Sequence, residues 1–267
     1  MSYYSIISKK NKLGINKIEK RDTKIIVSLT TYPARIDLVW QAIESLLRQT
    51  FKPDKIILWL AESQFNGINS LPEKLIAQQS RGLSIRFCDD LGPHKKYYNT
   101  MKEFPEDIVV TVDDDCFYPE NMLEALMNIH RKYPECICCN RGRLVKKNED
   151  NTIAPYQEWP IQMGFIEPTK LLCPTGVGGV LYPPKSMSIE VFDKESIKNI
   201  CLFTDDLWLK VMSLRKNTLV VKTPDFLYDF IHIAKSQREA LNKVNIGQGM
   251  NDKHLKSILE QYDVDFE

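Results

Sequence analysis

Three consecutive carboxylates, Asp113, Asp114 and Asp115, follow the apolar run Ile108-Val109-Val110-Thr111-Val112. Adjacent acids repel one another and lose solvation when drawn together, so they require a positive partner. A divalent cation meets that need, and hard carboxylate oxygens favour Mg2+ or Mn2+. A metal held in this way suits a phosphate-bearing substrate. The bland alternative is a solvated acidic turn before a helix. A second acidic pair, Asp205-Asp206, follows Thr204 and precedes Leu207, Val211 and Leu214 at helical spacing. Thr204 reads as a cap, and acids suit a first helical turn. A third pair, Asp89-Asp90, is followed by Gly92-Pro93 and then by Lys95-Lys96.

These groups need elements to position them. A β-branched run such as Ile108–Val112 reads as a strand buried on both faces of a parallel sheet. Ligands in such sheets bind at the carboxyl ends of the strands. Further strands are predicted at Lys24–Leu29, Lys55–Leu60, Leu83–Cys88, Cys136–Asn140 and Leu219–Lys222. Between them, Val39, Ile43, Leu46 and Leu47 recur at helical spacing. Leu71-Pro72-Glu73 opens a short helix. Leu123, Leu126, Met127 and His130 share one helix face, where His130 reads as a satisfied packing histidine. The alternation predicts an α/β fold with a mostly parallel sheet and right-handed crossovers.

Residues 141–170 show no period and carry Arg141, Arg143 and Trp159. Long irregular excursions of this kind are often functional. Thr175–Pro184 is glycine-rich but is neither a Walker loop nor GxGxxG. Its glycines suit close approach of backbone to a ligand. Phe226–Ile233 alternates apolar and polar around His232. The tail holds Gly247-Gln248-Gly249-Met250-Asn251-Asp252 and a final helix with Leu255, Ile258 and Leu259.

The 267 residues can bury one substantial core. A net charge of +1 and the lack of a basic stripe interleaved with aromatics argue against nucleic acid as a partner. No apolar run approaches the ~20 residues that span a bilayer. The N-terminus has no apolar signal core, so secretion is not expected. Seven cysteines show no framework spacing, and Cys136-x-Cys138-Cys139 lacks a completing pair for zinc. Buried free thiols in a reducing cytoplasm are expected. Residues 1–23 are polar and Lys-rich, an arm or loosely docked lead-in suited to a solvated tail or to weak peripheral contact with a membrane surface.

Taken together, the motifs resemble those of GT-A glycosyltransferases, in particular small non-processive bacterial enzymes near family 2. The resemblance rests on Val-Ser-Leu-Thr-Thr-Tyr-Pro-Ala-Arg at the first strand, Asp89-Asp90 after the third and Val-Asp-Asp-Asp after the fourth. Gly178-Gly179-Val180-Leu181-Tyr182 before Thr204-Asp205-Asp206 completes it. It implies a Rossmann-like sheet in a single domain over residues 24–267, with a nucleotide-sugar-binding half at 24–140 and an acceptor-binding half at 141–267. Asp113-Asp114-Asp115 matches the DxD motif, so Asp115 is implied as the main ligand to Mn2+ or Mg2+, with Asp113 assisting. The loop carrying Thr30, Thr31, Tyr32 and Arg35 would wrap the nucleotide, and Asp89 or Asp90 would accept a hydrogen bond from its base. Lys95 or Lys96 would meet the diphosphate, and Gly178-Gly179 would border the donor sugar and acceptor. Asp205 or Asp206 matches the catalytic base of inverting members. His232, ahead of His254, matches a C-terminal histidine that some GT-A enzymes add to the metal.

The implied activity is sugar transfer from a nucleoside-diphosphate donor, a UDP-sugar by preference, to a hydroxyl of a glycan or glycolipid. Surface polysaccharide or lipopolysaccharide synthesis at the cytoplasmic membrane face would be the setting. The Q-x-x-R-W motif of processive synthases is absent. Two rivals remain at this stage. One is a DxD phosphatase of the haloacid dehalogenase type, although Phe117 stands where Thr or Val is expected. The other is a non-catalytic sugar-nucleotide or glycan-binding domain.

Overall fold

The computed structural model describes residues 12–234, 236, 249–264 and 266. Residues 1–11 of the expected arm and Gly247-Gln248 of the tail motif lie outside the described residues. Twelve strands and seven helices are named below in chain order. The first half holds β1 (Ile25–Thr30), α1 (Trp40–Leu47), β2 (Lys55–Ala61), α2 (Glu73–Ile76), β3 (Leu83–Cys88), α3 (Lys95–Glu103), β4 (Ile108–Thr111), β5 (Cys116–Phe117), α4 (Met122–Lys132) and β6 (Ile137–Cys139). The second half holds β7 (Gly142–Leu144), β8 (Ile166–Thr169), β9 (Leu172–Pro174), β10 (Val180–Tyr182), α5 (Lys194–Ile200), α6 (Asp205–Arg215), β11 (Val220–Lys222), β12 (Ile231–His232) and α7 (Met250–Gln261).

Eight strands form one sheet in the order β3-β2-β1-β4-β10-β6-β11-β8. β10 and β8 run against the others, so the sheet is mostly parallel. The strand order reverses between β1 and β4, which pair in register from Ile25↔Ile108 to Ser28↔Thr111. A crevice opens outside the carboxyl ends of two strands at such a reversal. Thr30-Thr31 and Asp113-Asp114 emerge side by side there.

Period-two alternation along the strands divides the core. Val27 and Leu29 of β1 pack with Leu58 and Leu60 of β2 and with Ile43 and Leu46 of α1. Ile26, Ile57 and Trp59 face the opposite side. On that side Ser28 Oγ lies 2.7 Å from Thr100 Oγ1, which also accepts from Trp59 Nε1 at 2.7 Å. This buried polar junction ties α3 to the sheet, and satisfied buried polar networks favour one arrangement. A second apolar cluster joins Tyr97, Tyr182, Trp208, Val211 and Ile258 under α6 and α7.

The structure departs from several sequence expectations. Of the expected arm or loosely docked lead-in, residues 12–23 are docked. Gly14 N donates to Arg81 O at 2.8 Å, and Arg21 reaches Asp54 at 3.1 Å while covering the Phe51 ring. The stretch 141–170 contains β7 and β8, whose three or four residues are too short to show a period. His130 is not satisfied, because its buried Nδ1 has no hydrogen-bond partner among the described residues. Phe226–Ile233 forms strand only at Ile231–His232. All seven cysteines are free thiols, and six of them are buried. No helix among the described residues is long and apolar enough to cross a membrane.

Candidate active site

A cavity of about 570 Å³ sits at the β1/β4 reversal. The loop after β1, the acidic turn after β4 and the first turns of α3 and α6 all contribute to its lining. β1 ends at Thr30, and Pro33 starts a single 3-10 turn over Pro33–Arg35. That turn aims Arg35 back across the sheet. Arg35 donates to Asp114 Oδ1 at 2.6 Å and lies 3.1 Å from Asp115 Oδ2. Thr31 Oγ1 donates to the other Asp114 oxygen at 2.5 Å. Asp114 is therefore fully engaged by protein, and burial pushes its carboxyl up to about 6 against the lowering effect of Arg35. Arg35 feels the converse: burial works against its charge, but Asp114 and Asp115 outweigh it and raise its pKa. Its Nε is buried with no hydrogen-bond partner among the described residues.

The acidic turn itself is pinned by Tyr118. Asp113 N donates to the Tyr118 hydroxyl at 2.8 Å, and that hydroxyl donates back to Asp113 O at 3.2 Å. Lys96, in the first turn of α3, supplies the counter-charge. Its Nζ lies 2.8 Å from Asp113 Oδ1 and 2.8 Å from Asp205 Oδ2. A lysine at a helix N-terminus opposes the dipole, so these carboxylates must offset both that and its burial. They do: burial alone would lower the lysine pKa, yet Asp113 and Asp205 raise it well above the ordinary value.

The two acids of α6 separate in behaviour. Burial raises Asp205, but Lys96 and then His94 outweigh it and hold the carboxyl below its usual range. Asp206 stands outside the Lys96 ion pair, on the cavity wall, and accepts from Gly176 N at 3.3 Å. Burial and the neighbouring Asp205 charge push its carboxyl up to about 7. Thr204 is the N-cap residue, but its hydroxyl does not cap. It donates instead toward Cys201 O at 3.3 Å and lies 3.1 Å from His254 Nδ1.

A third group forms where β12 pairs with β5, placing His232 opposite Cys116. His232 Nδ1 lies 4.0 Å from Asp115 Oδ2 and 3.4 Å from Cys116 Sγ. Oxygen and nitrogen donors at this spacing fit a divalent ion of the Mn2+ or Mg2+ kind. His254, the other histidine weighed from sequence, is turned toward Thr204 and does not join Asp115.

The remaining predicted residues divide cleanly. Thr30, Tyr32, Asp90, Lys95 and Lys96 line the cavity. Lys95 pairs with Asp90 at 2.6 Å, and Lys96 bridges carboxylates, so both ammonium groups are held by protein acids. Asp89 does not face the cavity; it is exposed and pairs with Lys194. Gly178 and Gly179 pack against Arg141 and Met122, where a Cβ would lie 2.7 and 2.9 Å from the nearest atom. The glycine that meets the acidic cluster is Gly176, where a Cβ would lie 2.5 Å from Asp113 Oδ1 and 2.7 Å from Lys96 Nζ. Sequence reasoning did not assign Gly176, Cys116, Arg141, Arg143, Tyr156 or Asn251 to the site. The arginines had a usable signal, since they directly follow the carboxyl end of β6, and so did Gly176, which lies in the glycine-rich stretch Thr175–Pro184. Arg141 is oriented by Asp229 at 2.8 Å and by Thr175 Oγ1 at 2.9 Å.

Comparison with curated proteins finds no match. Among solved structures, the chain is similar to the mannosyltransferase PcManGT from Pyrobaculum calidifontis, described in complex with GDP-Man and Mn2+. The TM-score is 0.56 at 10% identity, over 91% of this chain and 66% of that one. It is also similar to S. aureus TarS 1-349, with a TM-score of 0.52 at 14% identity, over 91% of this chain and 67% of that one. The chain thus spans about two thirds of the length of these structures. At such identities the likeness speaks to the fold, which is that of GT-A glycosyltransferases. The family profile described as Glycosyl transferase family 2 matches residues 26–189, well over half of the chain. By that match the chain belongs to glycosyl transferase family 2.

Proposed function

We propose that the protein transfers a glycosyl group from a nucleoside-diphosphate sugar to a hydroxyl of a glycan or glycolipid, with inversion at the anomeric carbon. Asp206 is the base. The observation that carries this reading is the division of labour between Asp205 and Asp206. Both line the cavity, but Asp205 is held as a carboxylate by Lys96, whereas Asp206 lies outside that ion pair with a carboxyl pushed up to about 7. A base poised near the working pH is the best proton acceptor for an attacking hydroxyl.

Asp115 and His232 would hold Mn2+ or Mg2+, with Asp113 close by. When bound, the ion supplies Lewis-acid stabilisation to the departing diphosphate. The chain's own residues do the rest. Thr30, Thr31 and Tyr32 would border the nucleotide, and Asp90, set by Lys95, would receive a donor from the base. Arg35, which lines the cavity and pairs with Asp114 and Asp115, would hold those two carboxylates in place beside the donor. Arg141 and Arg143 extend positive charge along the cavity wall toward the leaving group. A UDP-sugar donor, an acceptor in surface polysaccharide or lipopolysaccharide synthesis, and a cytoplasmic location with peripheral membrane contact complete the reading.

The test is calorimetric titration with UDP and GDP, each with and without Mn2+. Tight, Mn2+-dependent binding of one nucleotide is expected. Folded protein that binds neither would overturn the reading in favour of a degenerate binding domain or a phosphatase-like activity.

A further inference from the structure

The β5–β12 ribbon brings three chemically different donors to one point. Cys116 Sγ lies 3.4 Å from Asp115 Oδ1 and 3.4 Å from His232 Nδ1. The ligand atoms of Asp115, Cys116 and His232 all lie within 4.8 Å of one another. Ligands around one tetrahedral ion, with bonds of about 2.0–2.3 Å, sit roughly 3.3–3.8 Å apart. Among the described residues this is the one group of three His, Cys or acidic side chains so arranged. Cys116 itself is fully buried beneath the other two. The chain places it there through backbone pairing, because His232 is the strand partner of Cys116.

A sulfur donor changes which ions the site accepts. Carboxylate and imidazole alone suit Mn2+, and carboxylate suits Mg2+; a thiolate added to them suits Zn2+ and Co2+. We propose that the metal site also takes a thiophilic divalent cation, Zn2+ or Co2+, with Cys116 Sγ as the third protein ligand beside Asp115 and His232. This rests on the reading of Asp115 and His232 as metal ligands. As the metal–sulfur bond forms, the thiol proton leaves to solvent. The zinc-loaded and manganese-loaded proteins are then mutually exclusive forms, because both ions use the same carboxylate and imidazole. Zinc would therefore compete with manganese at the site rather than act elsewhere on the protein.

The test is optical titration of the metal-free full chain with Co2+. A near-ultraviolet sulfur-to-cobalt charge-transfer band is expected, and excess Mg2+ should leave it in place. Cys116→Ser should lose that band. Cys88→Ser, at the most exposed of the thiols, should keep it. His232→Ala removes a half-exposed side chain and should lose or strongly weaken the band, which gives a second reading if Cys116→Ser fails to fold. Co2+ bound with no sulfur band, or a band that survives Cys116→Ser, overturns the proposal. Calorimetry with Mn2+ and UDP or GDP on the same preparation separates it from the transferase reading. Mn2+-dependent nucleotide binding with no sulfur band overturns the thiol ligand alone. A Cys116-dependent band without nucleotide binding supports the thiol ligand and overturns the transferase reading. Neither signal overturns both.

Discussion

Lys96 Nζ lies 2.8 Å from Asp205 Oδ2, joining the first turn of α3 to the first turn of α6. The same ammonium lies 2.8 Å from Asp113 at the end of β4. One buried cation thus connects the acidic turn of the proposed metal site to the helix of the proposed base. Removing it would leave the buried Asp205 and the partly buried Asp113 without their partner. Lys96→Met is expected to cost about 3–5 kcal/mol of stability, the usual penalty for breaking a buried pair from one side. Urea denaturation measures it. Adding Asp205→Asn should recover part of the loss, because one of the orphaned charges is then gone; no recovery would show that the pair is not coupled.

Asp206→Asn should abolish transfer while sparing nucleotide binding. A general base contributes on the order of 10²–10⁴ in rate. In the intact protein the carboxylate is the active form and its pKa is raised to about 7. Turnover should therefore rise through about pH 7 and fall toward acid, by about tenfold per pH unit on the acid limb. The pH profile of kcat reads this directly. A limb that persists unchanged in Asp206→Asn would assign it to another group.

Asp115→Ala should eliminate Mn2+-dependent nucleotide binding. His232→Ala should weaken it less, since His232 would be one ligand beside the charged carboxylate. Chelation with EDTA should reproduce the Asp115→Ala phenotype, and Mn2+ should reverse it. Calorimetry distinguishes these outcomes. Full metal-dependent binding by Asp115→Ala would remove the ion from this position.

Gly176→Ala places a Cβ 2.5 Å from Asp113 Oδ1 and 2.7 Å from Lys96 Nζ. The new methyl must displace the ion pair or the 3-10 turn over Gly176–Gly178. Overpacking of this kind costs about 1–3 kcal/mol. Transfer should fall further than stability alone explains, because Gly176 N also donates to Asp206. Matched thermal melts and initial rates test this.

The strands and the position of the acids were legible from local pattern. β-branched runs at Ile108–Val112 and Lys55–Leu60, each closed by a polar turn, announce buried strands wherever they occur. The end of a parallel strand is a binding position by topology alone, so Asp113, Asp114 and Asp115 could be placed before any contact was known. Partner choice could not be read in this way. Thr204-Asp205-Asp206 has the same local chemistry at both acids. Only the tertiary placement of α3 beside α6 brings Lys96 to Asp205 and leaves Asp206, on the same cavity wall, outside that ion pair. Likewise no spacing rule joins Cys116 to His232, which come together through a two-residue antiparallel ribbon. Gly178 and Gly179 were expected to border donor and acceptor; the glycine whose backbone meets the acidic cluster is Gly176, because glycine content marks a tight backbone without naming what it meets. Periodicity is a property of neighbours in the chain, and it specified the longer elements of the first half. Charge pairing, pKa and donor geometry depend on distances between remote segments, and those came from the tertiary structure alone.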